Sequence, residues 1–149
     1  NAAGMFFNIR IGTGKTEMIR AVLEGICFHL RWMLECEDKK VKTSQTIRFV
    51  GGGALSPVTC QMLSDIMGRT VETVENTKDV GSIGAAILVA VGCGAIADFD
   101  HVEEYIPVKA RYEPDPKTRD IYDRNYKVFR RLYQNNKENF TILNEGRSE

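Results

Sequence analysis

The sequence predicts an α/β fold, with a small, mostly parallel sheet and flanking helices. Two strand–helix units follow one another with short links, which favours parallel strands joined by right-handed crossovers. The glycine turn (Gly51–Ser56) ends one of these strands and opens the next helix. Because two or three strands are too few to cover four helices, we expect a truncated domain whose other strands lie elsewhere in a longer protein.

The composition is that of a folded globular chain. Its 149 residues suit one domain or most of one, and 43% of them are hydrophobic. Lys and Arg number 20, as do Asp and Glu, so the net charge is zero. This balance removes the electrostatic case for binding nucleic acid or an anionic membrane. The longest strongly apolar stretch, Ile83–Val91, is shorter than the ~20 residues that cross a bilayer.

The cysteines indicate a reducing compartment. No two of them form a Cys-x-x-Cys pair, which argues against a zinc site or a redox dithiol. Each lies in an apolar neighbourhood, so we expect buried, reduced thiols and a cytoplasmic location. The four positions are Cys27, Cys36, Cys60 and Cys93.

A short strand and a long helix are predicted first. The β-prone run Met5–Ile11 ends at a glycine. From Thr16, apolar residues recur every three or four positions, which predicts a helix of about five turns. Two pairs of opposite charge, Arg20–Glu24 and Arg31–Glu35, are spaced four residues apart, and we interpret them as weak surface ion pairs.

The link before this helix contains a Gly-Lys-Thr sequence at Gly14–Thr16. In a phosphate-binding loop, backbone amides hold the phosphates and the lysine reaches the terminal one. The full motif needs another glycine five positions before Gly14, where this chain has Ile9. We therefore interpret Gly14–Thr16 as a helix start.

The middle of the chain carries the clearest local signals. Thr46–Val50 is predicted to be a strand that leads into the glycine turn. Ser56 suits the N-cap of the following helix, and Pro57 suits its first position. Gly68 is placed to end that helix, and Thr70–Val74 is predicted to be the next strand.

The last part of the chain is predicted to contain two more helices. Val80–Val91 has a face of small residues, and we expect Gly84 and Ala85 to pack behind the glycine turn as scaffold. After a loop-rich stretch, Asp115-Pro116 begins a helix whose aromatic stripe is expected to dock on the domain. The stripe consists of Tyr122, Tyr126, Phe129, Leu132 and Tyr133.

The glycine turn is the strongest candidate for a ligand site. Three glycines let the backbone turn sharply and let a phosphate or ribose approach, and the next helix directs its positive end at an anion. The spacing Gly51-x-Gly53-x-x-Ser56, with Glu75 some 22 residues on, approaches a dinucleotide fingerprint. Local chemistry leaves NAD, ATP and a turn without a ligand open.

No residue of the chain is a credible general base. Glu24 and Asp65 lie on predicted helices, and we interpret both as structural. The sequence predicts neither a catalytic residue nor a metal ligand.

Four segments, in this order, resemble the C-terminal domain of the FGGY carbohydrate kinases: Ile19–Ile26, Phe49–Ser56, Gln61–Val71 and Gly84–Ala86. The resemblance implies an actin-like, ribonuclease H-like fold of two domains around a cleft. It implies that residues 4–133 are the C-terminal nucleotide-binding domain fragment of a sugar kinase and that 134–149 are a polar tail. Residues 1–3 resemble a leader or a scar of tag cleavage, because the chain does not begin with Met.

The resemblance also implies a ligand for this domain and separate roles for the two domains of the kinase. ATP with Mg²⁺ would lie on the glycine turn, with Gly52, Gly53 and Ala54 as the best contacts and Gly51 and Ser56 beside them. The catalytic Asp and the residues for a xylulose- or gluconate-like sugar would precede this segment, in a missing N-terminal domain. The fragment alone is expected to be inactive and, with a sheet edge exposed, to self-associate.

Two alternatives stay open beside the kinase interpretation. A Rossmann-type NAD-binding domain of an oxidoreductase would use Glu75 on a ribose. A non-catalytic regulatory or assembly module would have kept the same fold and lost the ligand.

Overall fold

Helices and strands alternate along the chain in the computed structural model, which describes residues 1–100 and 102–146. Short 3₁₀ turns at Gly52–Leu55, Val102–Tyr105 and Pro116–Thr118 link several of the elements. The elements in chain order are α1 (Lys15–Asp38), β1 (Thr46–Arg48), α2 (Pro57–Met67), β2 (Thr70–Val74), α3 (Val80–Gly92), β3 (Val108–Tyr112) and α4 (Arg119–Asn144).

The three strands form one mixed sheet in the order β1-β2-β3. β1 and β2 are parallel, with Arg48 opposite Glu72, and β2 and β3 are antiparallel, with Glu72 opposite Arg111. The α/β class is confirmed, but the sheet is not mostly parallel, because it has one pair of each kind. β3 lies in the stretch that we interpreted as loop. Its sequence, Val-Lys-Ala-Arg-Tyr, alternates apolar and charged residues, a strand signal that the interpretation as loop, based on the neighbouring prolines, did not use.

The core lies between α1, α2, α4 and the sheet. The ring of Phe28 on α1 contacts three rings of α4, those of Tyr122, Tyr126 and Phe129, at centroid distances of 6.1, 6.0 and 5.6 Å. Separations of this size are favourable for aromatic pairs. The predicted docking role of the aromatic stripe on α4 is therefore confirmed.

The arginines of the two charged pairs on α1 also contact other helices, which the sequence did not predict. Arg20 binds Glu24, and its Nη2 also donates to Oη of Tyr122 at 3.1 Å. Arg31 binds Glu35, and its Nη1 also lies 2.7 Å from the Asp123 carboxylate and donates to the Ile66 carbonyl at 3.0 Å. Both arginines therefore join α1 to other helices, so they are not simple surface pairs.

Two segments at the ends of the chain differ from their predictions. Residues 5–11 form an exposed coil without β structure, since no strand of the described chain pairs with them. α4 continues to Asn144, so residues 134–144 are helical. The side chain of Asn136 donates to the Leu132 carbonyl there, a bond within one helical turn. Residues 147–149 of the predicted tail lie outside the described residues.

α3 has the predicted extent but not the predicted packing. Ile87 is its one buried residue in the described structure, whereas Leu88 and Val89 are exposed. A β-carbon at Gly84 would meet open space. The small-residue face therefore does not pack behind the glycine turn, because no element of the described chain covers it.

The cysteines divide into two pairs. Cys27 and Cys60 are buried, as predicted, but Cys36 and Cys93 are exposed because each stands at the end of a helix. None of the four forms a disulfide. Among the described residues, no helix combines the length and the apolar character needed to cross a membrane.

Candidate functional site

The glycine turn begins where β1 ends. The Phe49 amide donates to the Glu72 carbonyl at 2.8 Å, which extends the pairing of β1 and β2 by one bond. Gly51 then adopts φ +86° and ψ −165°, a conformation essentially reserved for glycine. The chain reverses there and enters the 3₁₀ turn Gly52–Leu55. The backbone conformation at position 51 thus requires the glycine that the sequence has there.

Some backbone amides of the turn donate hydrogen bonds within the protein, and others are free to bind a ligand. The Gly51 amide donates to both the carbonyl and the Oγ1 of Thr77, at 3.0 and 3.1 Å. The Ala54 amide donates to the Gly51 carbonyl at 3.2 Å. The amides of Gly52 and Gly53 have no acceptor in the described part of the chain, and both residues are exposed. Two adjacent free amides are suited to binding an anion.

The floor of the turn is apolar. The ring of Phe49 lies under Gly53, so a β-carbon at Gly53 would come within 2.8 Å of Cζ. Ala54 is buried, and its carbonyl accepts a bond from Sγ of Cys60 at 3.6 Å. Burial raises the pKa of Cys60, which keeps the thiol protonated as the donor.

The helix that follows has the predicted caps. Oγ of Ser56 accepts the Thr59 amide at 3.3 Å, and Pro57 occupies the first position of α2. At the other end Gly68 has φ +67°, the left-handed form typical of a helix end. The positive end of α2 therefore follows directly after the 3₁₀ turn that carries the free amides of Gly52 and Gly53.

The structure brings all five predicted binding residues into one turn but gives them different tasks. Gly52 and Gly53 present free amides to solvent. Gly51 and Ala54 use their amides within the protein, and Ser56 uses its hydroxyl as a helix cap. The last three therefore shape the turn that the first two occupy.

One residue of the site was missed by the sequence interpretation. Thr77 is buried in the loop between β2 and α3, and it holds the Gly51 amide from 26 positions away. A polar run such as Glu75–Asp79 carries no sequence signal for such a contact. Glu75 itself lies 3.8 Å from the Lys109 amine, and its amide donates to the Pro107 carbonyl.

The remaining candidates are structural, as predicted. Glu24 accepts bonds from Arg20 and Tyr122. Oδ1 of Asp65 accepts the Gln61 side chain and the Asp115 amide, at 2.8 and 2.9 Å.

The Gly-Lys-Thr sequence is a helix start. The Gly14 amide donates to the Glu17 carboxylate at 3.2 Å, and Lys15 is the first residue of α1.

Comparison with known proteins decides the family. Residues 1–93 match the family model described as "FGGY family of carbohydrate kinases, C-terminal domain". The chain belongs to this family. Its actin-like ATPase fold follows from the same comparison. The Rossmann alternative is not favoured, and Glu75 lies beside Lys109 as part of the β2–β3 region.

Individual FGGY relatives agree with this assignment. The xylulose kinase of Staphylococcus epidermidis is 30% identical over 136 residues, which are 91% of this chain and 27% of that protein. The crystal structure of xylulose kinase from Rhodospirillum rubrum superposes with a TM-score of 0.83 at 27% identity, over 93% of this chain and 28% of that one.

A more distant structure shares the fold. Plasmodium falciparum glycerol kinase with ADP gives a TM-score of 0.69 at 24% identity, over 82% of this chain and 25% of that one. The chain thus spans about a quarter of the length of the relatives that it matches.

Proposed function

We propose that this chain is the nucleotide-binding part of an ATP-dependent carbohydrate kinase that transfers the γ-phosphoryl group to a sugar hydroxyl. The observation that carries the proposal is the pair of free amides at Gly52 and Gly53, next to the start of α2 in an FGGY-family chain. Phosphoryl transfer depends mainly on positioning and on charge neutralisation. A fixed turn that presents amides to phosphate oxygens suits the first of these needs.

In this proposal the glycine turn binds the phosphate portion of the nucleotide. The amides of Gly52 and Gly53 donate to phosphate oxygens, and the positive end of α2 adds a favourable field. Both glycines lack a β-carbon, so the ligand reaches the backbone directly. Gly51, Ala54 and Ser56 hold this shape by bonds within the protein.

The sugar and the chemistry lie mostly outside the chain. The sugar partner is proposed to be xylulose- or gluconate-like, bound by a domain that this segment does not include. We propose no catalytic base among the residues of this chain. The described residues also hold no group of three or more His, Cys, Asp or Glu that could bind a metal ion. We propose that Mg²⁺ accompanies the nucleotide, and we assign it no ligand in this chain.

The direct test is titration of ADP into the chain by calorimetry. Gly52→Val is the informative variant, because a side chain at Gly52 would meet open space within the protein and would occupy the space proposed for the ligand. We expect unchanged thermal stability and at least about tenfold weaker ADP binding. Gly12→Val is the matched control: it is equally unobstructed and lies near the Gly-Lys-Thr sequence, so it should leave ADP affinity unchanged.

Each result of this titration has a clear meaning. In a parallel titration with NAD, binding of NAD but not of ADP would overturn the kinase proposal in favour of an oxidoreductase domain. A folded chain that binds neither nucleotide would favour the regulatory-module alternative. Loss of ADP binding in Gly12→Val alone would move the site to the Gly-Lys-Thr sequence.

Activity is tested on the full-length protein. ADP production should be measured with Mg-ATP across a panel of pentuloses, hexoses, polyols and sugar acids. Activity with one sugar class would support the proposal and identify the substrate. The 149-residue chain alone should show no sugar-dependent turnover, because it lacks the proposed base.

We also propose that the isolated chain self-associates in solution. An apolar stripe on α1 is exposed, and β1 pairs on only one side within the described sheet. The stripe consists of Ile19, Val22, Ile26 and Met33. A monomeric mass in light scattering would contradict this. The cytoplasm is the proposed compartment, because four cysteines without a disulfide suit a reducing environment.

A further inference from the structure

We infer that Thr77 is a positioning residue that sets the glycine turn for its ligand. The inference rests on the proposed function, because it concerns the same turn. The observation is that one amide, that of Gly51, donates to two acceptors of one residue, the carbonyl and the Oγ1 of Thr77. Thr77 does not reach the free amides itself, and it acts on them through Gly51.

The loop that carries Thr77 is built to present it. Its neighbours from Glu75 to Asp79 are all exposed, whereas Thr77 is only 7% exposed. Asn76 has φ +50°, a left-handed conformation that Asn tolerates better than most residues. The Asp79 amide donates back to the Asn76 carbonyl at 2.8 Å and closes a tight turn. The loop thus directs one polar side chain inward, towards the start of the glycine turn.

The contact matters because Gly51 has a wide choice of conformations. Glycine adopts positive and negative φ with similar ease, so a free Gly51 would let the turn sample many arrangements. The two bonds that the Gly51 amide donates to Thr77 hold Gly51 at φ +86°, and the Gly51 carbonyl in turn accepts the Ala54 amide. The residues between, Gly52 and Gly53, are then fixed before any ligand arrives. Such pre-organisation lowers the entropy lost on binding.

The test compares three substitutions in the 149-residue chain. Thr77→Val removes Oγ1 and keeps the shape and the backbone carbonyl, whereas Thr77→Ser keeps the hydroxyl. Thr73→Val is the matched control: Thr73 is a buried threonine of β2 for which no bond to the turn exists in the described structure. Thermal melting of each variant verifies that it is folded, and Thr77→Ala replaces Thr77→Val if the valine variant does not fold.

Two readouts are measured on each variant. Hydrogen exchange of the Gly51 amide reports the contact itself and needs no nucleotide. Calorimetric titration with ADP reports its effect on the ligand. In Thr77→Val we expect exchange to be about fivefold faster and ADP binding about fivefold weaker, the change that one hydrogen bond produces. In Thr77→Ser and Thr73→Val, the exchange rate of the Gly51 amide and the ADP affinity should both stay close to those of the unmodified chain.

The outcomes separate this inference from the proposed function. Two results would overturn the positioning role of Thr77 and leave the proposed function intact. One is an unchanged hydrogen-exchange rate of the Gly51 amide in Thr77→Val; the other is an unchanged ADP affinity despite faster exchange. A Thr77→Ser variant as impaired as Thr77→Val would do the same, because the hydroxyl that Thr77→Ser keeps would then not be what sets the turn. Absence of ADP binding by the unmodified chain would refute the proposed function, whatever the exchange rates.

Discussion

Cζ of Phe49 lies 2.8 Å from the point that a β-carbon at Gly53 would occupy. The ring is packed against the core formed by α1, α2, α4 and β2, so a β-carbon at Gly53 fits only if this packing shifts. Gly53 is therefore required by a neighbouring side chain, whereas Gly51 is required by its own backbone angle. Gly51 and Gly53 look alike in the sequence, but two unrelated constraints require a glycine at these positions.

The first prediction follows from this contact. Gly53→Ala should lower the free energy of unfolding by about 1–3 kcal/mol, because the new methyl group overpacks the site against Phe49. Urea denaturation measures the change. Gly52→Ala, where a β-carbon meets open space, is the matched control and should change stability far less. Equal losses in the two variants would contradict the explanation, as would failure of Phe49→Leu to relieve Gly53→Ala.

A second prediction concerns the bond between α4 and α1. Oη of Tyr126 donates to the Glu35 carboxylate at 2.8 Å, and Tyr126 is only 4% exposed. Tyr126→Phe should cost about 1–2 kcal/mol of stability, since a hydrogen bond to a charged group is lost in a buried place. Tyr133→Phe is the control, because Tyr133 is 40% exposed and no hydrogen bond of its hydroxyl is present in the described structure. A larger loss at Tyr133 than at Tyr126 would refute the prediction.

The third prediction concerns pH. Burial alone would raise the pKa of Asp123, but Arg31 and Arg119 outweigh it and hold the pKa below its ordinary value. A lowered pKa in the folded state stabilises the fold at pH values above the unfolded pKa, and this contribution is lost as the pH falls through the folded pKa. The stability difference between the unmodified chain and Asp123→Asn should therefore be full at pH 7 and shrink below about pH 4.

Urea denaturation at several pH values measures that difference. Asp38 and Glu113 also have lowered pKa values, so both proteins lose stability in acid. Subtracting the two curves isolates Asp123. A difference that stays constant down to pH 3, or that grows in acid, would argue against the ion pair with Arg31.

The fourth prediction distinguishes the cysteines. Cys36 and Cys93 are exposed and should react quickly with a thiol reagent in the folded chain. Cys27 and Cys60 are buried, and burial raises the pKa of Cys27 to about 11, so neither should react until the chain unfolds. Counting labelled thiols by mass spectrometry should give two in buffer and four in denaturant. Rapid labelling of all four without denaturant would show that the core opens readily.

Local sequence signals predicted the middle of the fold well. The β2 boundaries, the Ser56 cap and the end of α2 at Gly68 all depend on neighbouring residues, so a short window of sequence contains their cause. The same holds for the aromatic stripe of α4, whose spacing alone defines one face of a helix. The glycine turn was found for the same reason.

Most of the errors lie where distant parts of the chain decide the outcome. The β-prone run 5–11 is a coil because no described strand pairs with it, whereas β3 pairs with β2 and was missed although its own residues alternate between apolar and charged. The small-residue face of α3 was predicted to pack behind the glycine turn, but a β-carbon at Gly84 would meet open space. Thr77 was missed because its contact spans 26 positions and leaves no periodic trace.

The chain is joined from its first helix to its last. Arg20 and Tyr122 are bonded although 102 positions separate them in the sequence. At a synthesis rate of about 5–20 residues per second, α1 leaves the ribosome roughly 5–20 s before its partner exists. Throughout that interval Phe28 and the apolar side of α1 have no α4 to cover them. The apolar side of α1 therefore reaches its final packing only after α4 has been translated.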